Sequence, residues 1–120
     1  MANEVTFSCS LKAVKNGAII NQSSNMVADM TGSDMMQNTQ NIGTAADVVV
    51  FGDISGPPQQ VMIKNLDATN YIELGGDSGL TVFKIKLLPG LSCLFTPSSA
   101  TLYAKANTAS VLIMIAAVEA

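Results

Sequence analysis

The chain has 120 residues and a net charge of −3, and it is 48% hydrophobic but only 12% charged. It is too apolar to be disordered, suits one compact domain, and has few charges to solvate a monomer's surface, which points towards assembly. All six basic residues are lysines, spread from Lys12 to Lys105, and there is no Trp or His, so the basic patch and aromatic platforms of a nucleic-acid binder are missing.

From the N-terminus, MANEVTFSCS lacks the basic n-region and long apolar core of a signal peptide. VTFSCSLKA, Val5 to Ala13, alternates with period two, placing Val5, Phe7, Cys9 and Leu11 on one face, as a half-buried strand would. Asn16-Gly17 is a favoured type I′ hairpin dipeptide. AIINQSSNMVADM then reads as a second, more polar strand running to a turn at Thr31-Gly32-Ser33-Asp34. Asp34 to Thr44 has no clear period and reads as an edge strand or an exposed contact loop, with Met35 and Met36 as adaptable interface or loosely packed edge residues. Residues 1–38 are therefore set apart as an arm or partner-contacting segment of a single domain spanning 1–120.

ADVVVFGDI, Ala46 to Ile54, is a clear strand signal, closed by Ser55-Gly56-Pro57-Pro58. QVMIKNL (Gln60 to Leu66), NYIELG (Asn70 to Gly75), LTVFKIKLL (Leu80 to Leu88), LSCLFT (Leu91 to Thr96), ATLYAKA (Ala100 to Ala106) and SVLIMIAAV (Ser110 to Val118) follow, separated by turn-forming residues. About eight or nine strands with nothing helical between them predict an all-β chain, a single-domain antiparallel β-sandwich of jelly-roll-like form. The last strand is apolar on both faces, which predicts that both are covered, inside the fold or at a subunit interface. At eight residues, its apolar run Val111 to Val118 is far short of the ~20 needed to cross a bilayer, and no membrane partner is expected.

Gly75-Gly76-Asp77-Ser78-Gly79 contains GDSG, the run around the nucleophilic serine of trypsin-like proteases. A triad at Ser78 would need an imidazole, and the chain has no histidine. A Ser-Lys dyad would need a buried lysine, whereas Lys84 and Lys86 alternate with Phe83, Ile85 and Leu87 and should point outward. The segment reads instead as a hairpin connection, with Gly75, Gly76 and Gly79 supplying positive φ and Asp77 and Ser78 capping backbone N–H groups. Asp47, Asp53, Asp67, Glu73 and Asp77 lack the spacing of a calcium loop, leaving only a site assembled from separate loops as a metal alternative. Asn65 to Asn70 reads as a turn capped by Asx side chains. Cys9 and Cys93 are expected as two buried free thiols, with one disulfide as the alternative. No catalytic residue, cofactor or metal ligand is assigned.

Four segments together resemble small virion proteins of tailed bacteriophages: TQNIGTAADVVVFGDI (Thr39 to Ile54), IKNLDATNYIELG (Ile63 to Gly75), KLLPG (Lys86 to Gly90) and TLYAKANTASV (Thr101 to Val111). The resemblance covers the chain from about Thr39 onward. It implies a short all-β structural protein made in the host cytoplasm and carried in the virion, first of all a capsid decoration (cement) protein on the head lattice. The implied partners are the major capsid protein or other virion proteins, and further copies of the chain itself, often in a trimer. A neck, tail or fibre-associated protein is the nearest variant. A carbohydrate or host-attachment module is the second class, with Tyr71 and Tyr103 as its only tyrosines and no Trp for stacking. An enzyme is the third, and the missing histidine and scattered carboxylates speak against it.

Overall fold

A computed structural model describes residues 4–30, 32–80 and 84–119, which form ten strands and no helix. The chain divides into two compact units, Met1–Thr31 and Gly32–Ala120.

The first unit is a two-stranded antiparallel ribbon. Strand β1 (Val5–Lys15) pairs with β2 (Ala18–Ala28) in unbroken register, from Val5 opposite Ala28 to Lys15 opposite Ala18. Only Asn16 and Gly17 lie between the strands, at φ 51° and 82°. Two left-handed residues in a two-residue loop make a type I′ turn, whose twist matches that of the strands it joins, as the Asn-Gly dipeptide predicts. Glu4 tightens the open end by accepting the Met30 N–H at 3.1 Å. Of the predicted turn at its exit, Thr31 lies outside the described residues.

The second unit is an antiparallel β-sandwich. Strands β3 (Met35–Ile42), β10 (Val111–Glu119), β5 (Pro58–Asn65) and β8 (Ser92–Phe95) form one sheet in that order. The other sheet has the order β4 (Asp47–Val48), β9 (Tyr103–Ala106), β6 (Ile72–Gly75), β7 (Lys84–Leu87). The pairings are nested: β6 with β7, β5 with β8, β4 with β9 and β3 with β10. A long hairpin with these pairings, rolled until β10 meets β5 and β9 meets β6, has jelly-roll topology.

The core follows from alternation. Val61 and Ile63 on β5, Ile72 and Leu74 on β6, and Val111, Ile113, Ile115 and Ala117 on β10 face inward and are fully or almost fully buried. One polar residue shares that phase. Asn65 is fully buried, and its Nδ2 donates to the carbonyls of Asn70 (2.9 Å) and Leu87 (3.0 Å). Its Oδ1 accepts the Asp67 N–H at 2.8 Å, and its backbone bonds Leu91 and Gly90. Asn65 thus ties β5, the end of β7, the 66–70 turn and the Pro89-Gly90 turn together. In that last turn, Leu88 O accepts the Leu91 N–H and Gly90 sits at φ 80°, as a type II turn requires.

Several expectations are corrected. ADVVVFGDI forms a ladder only at Asp47–Val48. Beyond it the Val49 N–H still bonds Leu102 O (2.8 Å), and the Gln40 side chain donates to Val48 O (2.9 Å) and accepts from Val50 N–H (3.0 Å). Val49 and Phe51 still reach the core, and Gly52, at φ 63°, turns the chain away. Pro58 does not merely close that segment; it opens β5, opposite Glu119, where the register shifts. A strand's first residue is a place where a missing N–H is tolerated.

GGDSG follows a strand that pairs antiparallel with the next one, as a hairpin connection should, but its backbone differs from its reading. Gly75 is part of β6, and Gly76 is not left-handed. Buried Leu80 is left-handed, at φ 53°, and its N–H bonds Asp77 O across a turn containing Ser78. Burial of the Leu80 side chain holds a backbone that a non-glycine residue rarely adopts. Thr81, Val82 and Phe83 of the expected strand lie outside the described residues.

At the far end of β10, Glu119 clamps two loops. Its carboxylate accepts the N–H groups of Ser33 (3.0 Å) and Ser55 (3.1 Å), with a longer contact to Asp34, while its own N–H bonds Asp34 O. A Cβ at Gly32 would run into that carboxylate. The Ser55 and Ser33 N–H groups hold the Glu119 carboxyl below its ordinary value of 4.5. A depressed folded-state pKa means the clamp's stabilisation is full above about pH 4.5 and is lost as pH falls through the lower folded value. Thermal unfolding followed from pH 7 to pH 3 should therefore show a fall in stability that Glu119→Gln makes shallower. The remaining fall is assigned partly to Asp67, held low by the Asn70 and Thr69 N–H groups.

Candidate interaction surfaces

Alternation on the sandwich generates two outer faces of opposite character. On the second sheet the outward positions include Glu73, Lys84, Lys86 and Lys105, with Glu73 opposite both Lys86 and Lys105. Lys84 Nζ lies 3.7 Å from a Glu73 carboxylate oxygen, and Lys86 Nζ lies 4.2 Å from the centre of the Tyr71 ring. This is a solvated face, and both lysines point outward as their alternation predicts.

The outer face of the first sheet is different. Its rows run Met35, Val118, Gln60; then Gln37, Ala116, Met62, Leu94; then Thr39, Met114, Lys64, Ser92. Leu112 extends the apolar stripe beyond these rows, and Lys64 is their one charge. Met35 is 67% exposed and Leu112 45% exposed, although β10 is a central strand of its sheet. Within the fold only one face of β10 is fully covered, so of the two alternatives for its second face, cover inside the sandwich is set aside and a subunit interface stays open. Val111 to Ala117 on the odd phase fill the core, whereas Leu112 is exposed and Met114, Ala116 and Val118 are half-buried. Met35 and Met36 split likewise, one outward and one packed against the core.

The ribbon supplies a second apolar surface. Opposed residues share a face, so one face carries Val5, Phe7, Cys9, Leu11, Ala13 and Lys15 with Ala28, Met26, Ser24, Gln22, Ile20 and Ala18. The other carries Thr6, Ser8, Ser10, Lys12 and Val14 with Val27, Asn25, Ser23, Asn21 and Ile19. The sequence predicts a half-buried strand here. Only Val5 is buried and Phe7 partly so, while Leu11 is 63% exposed. Cys9 is likewise exposed, and both cysteines are free thiols, so the expectation of two buried thiols fails at Cys9. Cys93 is half-buried facing the core, and burial pushes its thiol pKa up.

The carboxylates considered for metal binding are used singly. Asp47 accepts the Gly43 N–H, Asp67 caps its own turn and Glu73 meets Lys84. Among the described residues no three metal-ligating side chains gather. No helix among them is long and apolar enough to cross a membrane. An apolar cleft of about 370 Å³ is lined by Gly76, Ile85, Phe95, Pro97, Thr101 and Leu102 among others, with no titratable side chain among the described residues of its wall.

Sequence reasoning missed two features. Asn65 was legible as a turn residue but not as a buried tie, although it keeps the inward phase of Val61 and Ile63. The contrast between the outer faces was also missed, because it emerges only when strands far apart in the chain are placed side by side. Comparison with protein families, curated proteins and solved structures finds no match to this chain.

Proposed function

We propose that the chain is a structural virion protein of a tailed bacteriophage, a capsid decoration (cement) protein that stabilises the head lattice. The observation that carries this reading is the uncovered apolar outer face of the β3-β10-β5-β8 sheet, set against a charged outer face on the other sheet. A shallow apolar face with little charge suits a flat protein partner, and modest contacts become stable when lattice symmetry repeats them. The four segments that resemble phage virion proteins support the same reading. Jelly rolls recur in both capsid and lectin domains, so the choice between them rests on the surface. The Tyr71 ring that a sugar would stack on is covered by Lys86, and Tyr103 is half-buried, which favours the structural role over carbohydrate recognition.

The test is co-sedimentation of the purified chain with emptied or expanded capsids. Saturable binding at a fixed ratio to the major capsid protein is expected. Met62→Asp and Leu112→Asp, both at outward positions, should fold normally and lose that binding. Unchanged binding by both variants would contradict this assignment of the contact face.

A further inference from the structure

We propose that the apolar face of the ribbon is covered by the ribbon of a second copy of this chain, the two stacked face to face and antiparallel about a two-fold axis. A lone two-stranded ribbon is marginally stable in water. This one carries six of its eleven residue pairs on the apolar face, which is exposed from Cys9 to Lys15 while Val5 at the open end is buried and Phe7 half-buried. About 35 Å of paired ribbon buries on the order of 1,000 Å² in total, the size at which specific interfaces begin.

The occupant is argued from self-complementarity. An in-plane two-fold axis through the ribbon's middle sets β1 on the partner's β1 and β2 on its β2, running in opposite directions. Residue pairing then follows from register: Phe7 meets Ala13, Met26 meets Ile20, and Cys9 meets Leu11. The uncharged polar side chains of this face, Gln22 and Ser24, meet each other, so both are given a partner. The charges agree. Glu4 and Asp29 lie at the open end, and Lys12 and Lys15 lie towards the turn. Lys15, on the apolar face, therefore reaches the acidic end of the other copy. Parallel stacking would set Gln22 on Leu11 and gather the lysines at one end, a desolvation and repulsion penalty that the antiparallel arrangement avoids. The pairing uses no residue of the sandwich's outer faces and does not depend on the virion reading.

The experiment uses the full chain and no capsid, so its outcome is separate from that of capsid binding. Sedimentation equilibrium should give a dimer. Phe7→Asp should weaken dimerisation by about 100-fold or more with an unchanged far-ultraviolet spectrum, because each dimer would bury two carboxylates. Thr6→Lys, on the opposite face, should leave it intact. Glu4→Lys and Lys15→Glu should each weaken it, by roughly tenfold for two exposed contacts reversed. Mixing those two variants should restore dimers, since opposite charges then face each other again at both ends of the stacked ribbons. A wild-type monomer or trimer, full dimerisation by Phe7→Asp, or failure of the mixed pair to associate would each overturn the proposal.

Discussion

Replacing Ile113 with Asp should leave the second unit unfolded at room temperature. Ile113 is fully buried at the centre of β10, between β3 and β5, and belongs to the core formed by both sheets. Removing the buried aliphatic side chain costs about 2–5 kcal/mol. A carboxylate there adds several kcal/mol more, whether it stays charged or takes up a proton. The sum rivals the roughly 5–15 kcal/mol that holds a typical domain together. Val111→Asp and Ile115→Asp should behave alike, since both share that phase and are buried. Leu112→Asp, one residue along and facing out, should change stability by less than about 1 kcal/mol. Far-ultraviolet circular dichroism and thermal unfolding check the set. A folded Ile113→Asp beside an unfolded Leu112→Asp would show the strand reversed.

Asn65→Ala should be the next most damaging change, at about 3 kcal/mol. It strips a hydrogen-bond donor from the Asn70 and Leu87 carbonyls and an acceptor from the Asp67 N–H. Each group left buried without a partner costs about 1–3 kcal/mol, reduced where water can enter beside the turn. Asn65→Asp is the more informative variant. It keeps the acceptor for Asp67 but aims a carboxylate oxygen at carbonyl oxygens in a buried site, which raises its folded pKa above the unfolded value of about 3.9. A raised folded pKa places this variant's best stability below the unfolded value, with loss as pH rises through the folded one. Chemical denaturation of wild type, Asn65→Ala and Asn65→Asp at pH 4 and pH 7 checks both. An Asn65→Asp protein no less stable at pH 7 than at pH 4, relative to wild type, would refute the role given to the amide.

These two residues also show how far the sequence could be read. The alternation of β10 is plain in VLIMIAAV, and so is its inward phase once one buried residue is known. Whether its second face is covered is not a local property, because the rows beside Leu112 and Met114 come from β3, β5 and β8. The Asn16-Gly17 turn was legible because two positive φ angles demand particular residues. GGDSG was legible as the connection of a hairpin, which β6 and β7 form, but the left-handed backbone at Leu80 was not, because the expectation looked for glycines there. ADVVVFGDI looked like a full strand because its side chains do alternate. Past Val49 its backbone turns to the Gln40 side chain, and propensity carries no sign of that.

The ribbon is the clearest case of a correct element with a wrong environment. Period two in VTFSCSLKA specified a strand and an apolar face, but not what lies against that face. The sandwich shows the same economy of charge on its β3-β10-β5-β8 side. These two surfaces are the ones that the proposed capsid contact and the proposed ribbon pairing would cover.

The phage-head proposal is tested most directly by quantitative mass spectrometry of virions purified from a phage whose genome carries the coding sequence. The chain is expected in a fixed ratio to the major capsid protein, retained in tail-less heads. Absence from virions, or presence only in tails at a few copies, would contradict it.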